Sequence, residues 1–413
     1  MMMHCLYNLF IRLYSWGIAI ASLWNEKAKL LHSGRKKTFA TLQTECAGKK
    51  VVWLHAASLG EYEQGKPLIQ QLRAMHPEYT FLVTFFSPSG YEVKKNDPDI
   101  DILAYLPADT PRNAKRLVKT VNPVSAYFVK YEFWYNFMIA LNANKIPIYF
   151  FSAIFRPSHY FFKPYGKWFA RQLRLVTHFF VQNTTSRDLL NKIGVHCVTI
   201  AGDTRFDRVS AIAQANEDLP FVELFKGTGK LLVAGSTWMP DEKLLLDVYR
   251  DVKKYGYHLL IAPHVIDNEH IQQILTLFSS ERNILYSDYK CQNLAECDVM
   301  IINSIGLLSR IYKYADVAYV GGAFETGLHN TLEAAVFGIP LFFGPKYSKF
   351  DEAVHLVQRE GAFSVLSAHD MIEKLRQFEE NPTFYDHTCA ICQSYVQENL
   401  GACRKILAVT EPI

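Results

Sequence analysis

Short runs rich in β-branched and aromatic residues recur along the chain, each followed by a stretch of helical periodicity. They are VVWLHA (51–56), FLVTFF (81–86), DILAYLP (101–107), SAYFV (125–129), PIYFFSA (147–153), HFFVQ (178–182) and CVTIAG (197–202). Strand-length runs alternating with helices are what a parallel sheet requires, because parallel neighbours can be joined only by a long crossover. After a polar stretch near 210–229 the pattern restarts with LLVAGS (231–236), HLLIAP (258–263), NILYS (283–287), VMIIN (299–303), VAYVGG (317–322) and PLFFGP (340–345). The expectation is two doubly wound α/β domains, and 413 residues suffice for each to bury its own core. Ligands of open α/β sheets sit beyond the carboxyl ends of the strands, so chemistry is expected in the loops that follow strands, at a cleft between the two halves.

Composition adds a positional asymmetry. The net charge is only +4, yet residues 1–50 hold eight Lys or Arg against two acids, leaving 36 basic and 38 acidic residues over the remainder. A basic excess confined to one end, beside an apolar stretch, suits an anionic membrane surface. No basic stripe with interleaved aromatics recurs, so no nucleic acid is expected as partner. LYNLFIRLYSWGIAIASLW (6–24) keeps helical apolar spacing at Leu6, Leu9, Phe10, Leu13, Ile20 and Leu23, but Asn8 and Arg12 interrupt it. The unbroken part falls short of the ~20 residues of a spanning helix, so an interfacial helix is expected, with Lys27, Lys29 and Arg35 to Lys37 keeping the body on the cytoplasmic side. Packing of the stripe on a soluble domain, or cleavage at Ala19-Ile-Ala21 as a signal peptide, are the competing readings. Eight scattered cysteines suit a reducing compartment, and Cys389-Ala-Ile-Cys392 lacks the second pair a metal site would need.

Four constellations follow strands. In HAASLGE (55–61) a small-residue turn leads to Glu61 in a first helical turn, placed either to take a proton from an acceptor hydroxyl or simply to complement the helix dipole. The dipole is expected to keep it ionised. In VKYEFWYN (129–136), Glu132 sits among aromatics, as a core ion-pair member or as a group held for use. In VAGSTWMPDEK (233–243), Gly235, Ser236 and Thr237 precede a helix and form either a phosphate-binding turn or an ordinary N-cap. In GGAFETGLHNTLEAA (321–335), three glycines, His329 and Asn330 lead into a helix from about Thr331. Backbone N–H groups there could hold phosphate while Glu333 accepts the hydroxyls of a ribose; a capping pair of Asn330 and Glu333 uses the same spacing.

Taken in order, these segments resemble the 3-deoxy-D-manno-octulosonic acid (Kdo) transferases, lipopolysaccharide enzymes of GT-B fold. HAASLGE resembles the family's H-x-x-S-x-G-E, which implies that Glu61 is the general base. Glu132 is similar to the Glu of E-L-W-P-N, with Tyr135 in place of Pro, which implies a part in the transition state. GDTRFD (202–207) resembles G-N-x-K-F-D, with Arg205 where the family has Lys. AGSTW (234–238) and GLHNTLEAAVFGIPLFFGP (327–345) resemble the nucleotide half, which implies binding by Asn330, Thr331, Leu332 and Glu333, with phosphate contacts from Gly235, Ser236, Thr237 and His329. The family's P-R-H stands here as Pro263-His264-Val265 and its G-E-L as Gly306-Leu307-Leu308; Pro263, His264 and the backbone of Ile305, Gly306 and Leu307 are the nucleotide contacts implied there.

The resemblance implies a membrane-associated helix with basic flank at 1–35, an acceptor-binding Rossmann-like domain at 36–209, a linker at 210–228 and a nucleotide-sugar domain with C-terminal helices at 229–413. It implies inverting, metal-independent transfer of Kdo from CMP-Kdo to a lipid A precursor of the lipid IVA type, with no cofactor, at the cytoplasmic face of an inner membrane. A GT-B transferase using a UDP-sugar, or a non-catalytic membrane-bound nucleotide sensor, are the other readings the residues admit.

Overall fold

A computed structural model describes residues 2–215, 218–291, 293–325 and 327–410. The chain divides into two compact units, one formed by residues 2–208 with 400–410 and the other by 209–399. Among the described residues, each is built on a parallel sheet of seven strands.

In the first unit the strands are β1 (Val51–Ala56), β2 (Thr80–Phe85), β3 (Ile102–Tyr105), β4 (Ser125–Val129), β5 (Ile148–Ala153), β6 (His178–Val181) and β7 (Val198–Ile200), in the order β3-β2-β1-β4-β5-β6-β7. β1 is buried along its whole length. Val51 and Trp53 enter one core while Val52, Leu54 and Ala56 enter the other, so a strand covered on both faces reads as an unbroken apolar run. The helix Leu59–Met75 lies close against it; a side chain at Gly65 would strike Leu54.

The second unit holds β8 (Lys230–Thr237), β9 (Tyr257–Pro263), β10 (Asn283–Leu285), β11 (Val299–Ile301), β12 (Val317–Val320), β13 (Leu341–Phe343) and β14 (Ala362–Ser364), in the order β10-β11-β9-β8-β12-β13-β14. Strand order reverses between β1 and β4 in one sheet and between β8 and β12 in the other, and these reversals are where a doubly wound sheet opens a crevice.

Several boundaries differ from those expected. β14 is an edge strand of three residues, only one of them fully buried, and its segment carries no apolar run long enough to announce it. The N-terminal segment is two helices, Met2–Ala21 and Glu26–Glu45, the second running past the expected limit at 35. Within the expected linker, helices Thr204–Ala215 and Pro220–Lys226 are present, the latter burying Phe221, Val222 and Phe225; residues 216 and 217 lie outside the described residues. The last helix, Ala402–Thr410, belongs to the first unit, whereas the sequence assigned it to the second. Cys403, Ile406 and Leu407 pack with Leu68, Ile69 and Leu72, and Asp207 accepts the N–H groups of Gly401 and Cys403. The end of that expected domain, residues 411–413, lies outside the described residues.

The helix Met2–Ala21 is held by its polar face. Tyr7 donates to the buried Asp109 at 2.5 Å, and Asn136 bridges to Asn8 and His4. Its apolar stripe points outward: Phe10 is 63% exposed and Leu6, Leu9, Leu13, Trp16 and Ile20 are comparably open, against 5% for Ile11. No single helix among the described residues is long and apolar enough to cross a membrane; the first two pass that test only as a pair, bent by 118°.

Because Ile406 is fully buried, Ile406→Ala is expected to destabilise the first unit by about 2–5 kcal/mol. Denaturant unfolding followed by a probe in that unit checks this, and an unchanged midpoint would contradict the packing described.

Candidate active site

Glu61 and Glu132 follow β1 and β4, the two strands that flank the reversal in the first sheet. Ser58 caps the helix Leu59–Met75, accepting the N–H of Glu61 at 3.4 Å, while the Glu61 carboxylate turns back to accept the N–H of Ala57 at 2.5 Å. The Glu61 carboxyl is pushed up to about 7. Burial is the main cause and the charge of Glu132 adds to it, while the Ala57 N–H, His55 and Lys130 pull the other way. The expectation that the helix dipole keeps Glu61 fully ionised is thereby corrected: desolvation outweighs the dipole, leaving the group divided between its two forms at neutral pH.

Glu132 is oriented by two rings. The indole N–H of Trp134 lies 2.9 Å from its Oε2 and 3.0 Å from Nε2 of His55, and the two acceptors are 3.3 Å apart. His55 is fully buried, and its Nδ1 is 2.9 Å from the carbonyl of Thr84, which can only accept. Nδ1 therefore carries a proton, and Nε2 faces the Trp134 N–H and Glu132. Lys130, next to β4, adopts φ 53°, a left-handed conformation that costs a non-glycine residue about 1–3 kcal/mol.

Arg205 opens the helix Thr204–Ala215, and its Nε donates to Asp203 at 2.9 Å. Asp203 also accepts from Gln64 and Gln182. Burial raises its carboxyl, but Arg205, its backbone N–H and Lys130 outweigh that and hold it below the usual range. Lys130 thus carries positive charge to both Glu61 and Asp203. The nearby Asp97-Pro-Asp99-Ile-Asp101 run has Asp-x-Asp spacing, but Lys66 and Lys94 hold Asp97, Lys66 also holds Asp99, and Arg73 holds Asp101.

In the second unit the loops after β8, β9 and β12 come together. Trp238 stacks on His264 with centroids 5.0 Å apart, and His264 stacks on His329 at 4.3 Å. The Trp238 indole N–H reaches Nε2 of His329 at 3.3 Å, so a neutral His329 carries its proton on Nδ1. Burial and the neighbouring His264 push His329 down to about 4. At neutral pH it can offer a phosphate an N–H donor and no positive charge.

Beneath these rings lies the buried Asp241, which accepts the N–H of Trp238 at 2.9 Å, the N–H of Gly322 at 3.0 Å and the hydroxyl of Tyr319 at 2.7 Å. The glycines serve this close approach. A side chain on Gly321 would collide with the backbone of Ser236 and Thr237, and Gly322 needs φ 91°. Gly235 is likewise a packing position, against Tyr312 and Leu308. The Thr237 hydroxyl is fully buried and donates to Glu242, whereas Ser236 is half-exposed in a left-handed conformation at φ 54°.

Asn330 donates to Glu333 at 3.0 Å and accepts the N–H of Leu332 at 3.2 Å; this is not the capping box anticipated as one of the two readings, because the N-cap position falls on Thr331, whose side chain makes no capping bond. The helix it begins is one turn, Leu332–Ala335, with Thr331 fully buried. Pro263 ends β9, and Ile305 to Leu307 form an exposed turn after β11, with Ile305 open and Gly306 at φ 90°. Cys392 of the CxxC pair is buried, donates to the carbonyl of Gly361 and has its thiol pushed up by burial, as befits a core residue.

Sequence reasoning passed over His55, Lys130, Trp134, Asp203, Trp238 and Asp241 as site residues. All six stand inside stretches it had singled out, but their partners are remote in sequence: Trp238 meets His329, and Asp241 meets Gly322 and Tyr319.

Two doubly wound parallel sheets, each with polar and ring-bearing residues in the loops that follow the strands at the reversal, make a fold of the GT-B type. A solved UDP-GlcNAc 2-epimerase from Neisseria meningitidis has this fold, with a TM-score of 0.61 at 15% identity over 88% of this chain and 100% of that one. Residues 24–208 match the family described as 3-deoxy-D-manno-octulosonic-acid transferase (kdotransferase). The 3-deoxy-D-manno-octulosonic acid transferase of Aquifex aeolicus is 27% identical over 337 residues, covering 80% of this chain and 86% of that protein. That of Rickettsia felis is 28% identical over 345 residues, covering 79% and 71%. The chain thus carries a Kdo transferase family domain over residues 24–208 and has relatives named as Kdo transferases over about four-fifths of its length.

Asp241→Ala would remove the acceptor of the half-buried Trp238 N–H, the buried Gly322 N–H and the buried Tyr319 hydroxyl, at about 1–3 kcal/mol for each of the buried donors. The expected result is a lower melting temperature with Trp238 more exposed to a fluorescence quencher, and unchanged values of both would contradict this arrangement.

Proposed function

We propose that the chain transfers Kdo from CMP-Kdo to a sugar hydroxyl of a lipid A precursor of the lipid IVA type, with inversion and without a metal or cofactor, at the cytoplasmic face of an inner membrane. The observation that carries the chemistry is the Glu61 carboxyl, raised to about 7 beside Glu132. A general base works best when its pKa lies near the working pH, because it is then both ionised and basic enough to hold a proton. Glu61 takes the acceptor hydroxyl's proton, the oxygen attacks the anomeric carbon, and the bond to the phosphate oxygen breaks with its electron pair leaving on CMP.

Glu132, held by Trp134 and His55, stands beside the positive charge that gathers on the sugar ring. Arg205, fixed by Asp203, is the cation assigned to the donor's negative charge. On the second unit, Ser236 and the Nδ1–H of His329 are the proposed donors to phosphate, with Asn330 to Glu333, Pro263, His264 and the turn Ile305 to Leu307 proposed around the nucleoside. The names of the relatives support the transferred sugar, and the outward apolar stripe of Met2–Ala21 with exposed Lys27, Lys29, Lys36 and Lys37 supports a lipid surface as partner.

Glu61→Gln is expected to lower turnover by about 10²–10⁴-fold while leaving CMP binding intact. The wild-type rate should rise with pH through about 7, since only the ionised carboxylate can accept the proton. Glu132→Gln removes a like charge, so the acid limb of its residual activity should move to lower pH. Full turnover by Glu61→Gln, or tighter binding of UMP than CMP in calorimetry, would overturn the proposal.

A further inference from the structure

The segment after β4 has two jobs in the first unit. Glu132 and Trp134 face His55, while Asn136 reaches back to Asn8 and His4 on the first helix. Between that helix and this segment lies an open groove of about 500 Å³, walled by Met3, Leu6 and Phe10 on one side and by Tyr131, Trp134 and Phe169 on the other, with Glu132 also in its lining. The hydroxyls of its other tyrosines are taken: Tyr7 donates to Asp109, and Tyr135 and Tyr160 bond each other at 2.8 Å. What those residues can offer a ligand is apolar ring surface.

We propose that this groove binds one acyl chain of the acceptor glycolipid, so that the chain, and not the membrane surface alone, places the sugar hydroxyl at Glu61 and Glu132. The inference rests on the proposed reaction and adds to it the part of the acceptor that this site selects. Two features of the groove support it. Its outer wall, Leu6 and Phe10, belongs to the same outward stripe as Leu9, Leu13, Trp16 and Ile20, so the groove is continuous with the apolar face that would meet a lipid surface. Its lining includes the carboxylate whose charge acts on Glu61, so a molecule with its chain in the groove has its head at the reactive groups.

The test uses N-acyl glucosamine phosphates from butanoyl to dodecanoyl, each below its micellar concentration and without vesicles. Affinity for the full-length protein should rise about fourfold per added methylene until the groove is full. Leu6→Trp and Met3→Trp, which fill the groove from the exposed side, should abolish that dependence. Leu13→Asp, on the same stripe outside the groove, should keep it. A flat chain-length series in the wild type, or a dependence lost equally in Leu13→Asp, would overturn the proposal. Transfer to the same compounds is read separately. Chain-dependent binding without transfer contradicts the reaction and leaves the groove standing, whereas transfer whose kcat/KM ignores chain length contradicts the groove and leaves the reaction standing.

Discussion

A parallel sheet that is wound in both directions has one place where two neighbouring strands send their chains to opposite faces, and everything functional in each unit depends on that place. In the first unit it brings together the loops after β1 and β4, so Glu61 and Glu132, 71 positions apart, share one patch of partly desolvated space. In the second it brings the β8 turn against the β12 turn closely enough that only glycine fits at 321. Both crevices are bordered by a non-glycine residue in left-handed backbone, Lys130 and Ser236, a conformation that persists only where surrounding structure imposes it.

The electrostatics of the first crevice follow from burial opposed by a few fixed groups. Burial and Glu132 raise the Glu61 carboxyl; the Ala57 N–H, His55 and Lys130 restrain it. The outcome is a carboxylate that can both give up and take a proton near neutrality, which an exposed first-turn glutamate could not do. The second crevice is built on the opposite principle. A buried carboxylate, Asp241, is spent entirely on backbone and hydroxyl donors, and its product is rigidity in the turns that carry Trp238 and His329.

Much of this was legible in the sequence. Strands buried on two faces must be apolar throughout, so β1, β4 and β8 announced themselves, and so did the loops that follow them. What stayed hidden has a common cause: it depends on contacts between segments far apart in the chain. The edge strand β14 has no apolar run, and the return of Ala402–Thr410 to the first unit rests on Asp207 and a patch on the helix Leu59–Met75. Glu61 could be found from its position, but its proton affinity could not, because the dipole visible in the sequence is the smaller effect and the desolvation that exceeds it belongs to the fold. Likewise the apolar stripe of the first helix was readable, whereas its polar anchors Asp109 and Asn136, and the groove they leave open, were not.

The central claim is that Glu61 is a carboxylate tuned by its surroundings to the pH at which it works. The most direct measurement is a titration of its carboxyl carbon in protein labelled with ¹³C-glutamate, the resonance being assigned by its loss in Glu61→Gln. A midpoint near 7 is predicted. A midpoint in the ordinary glutamate range, about 4.3, would contradict the account.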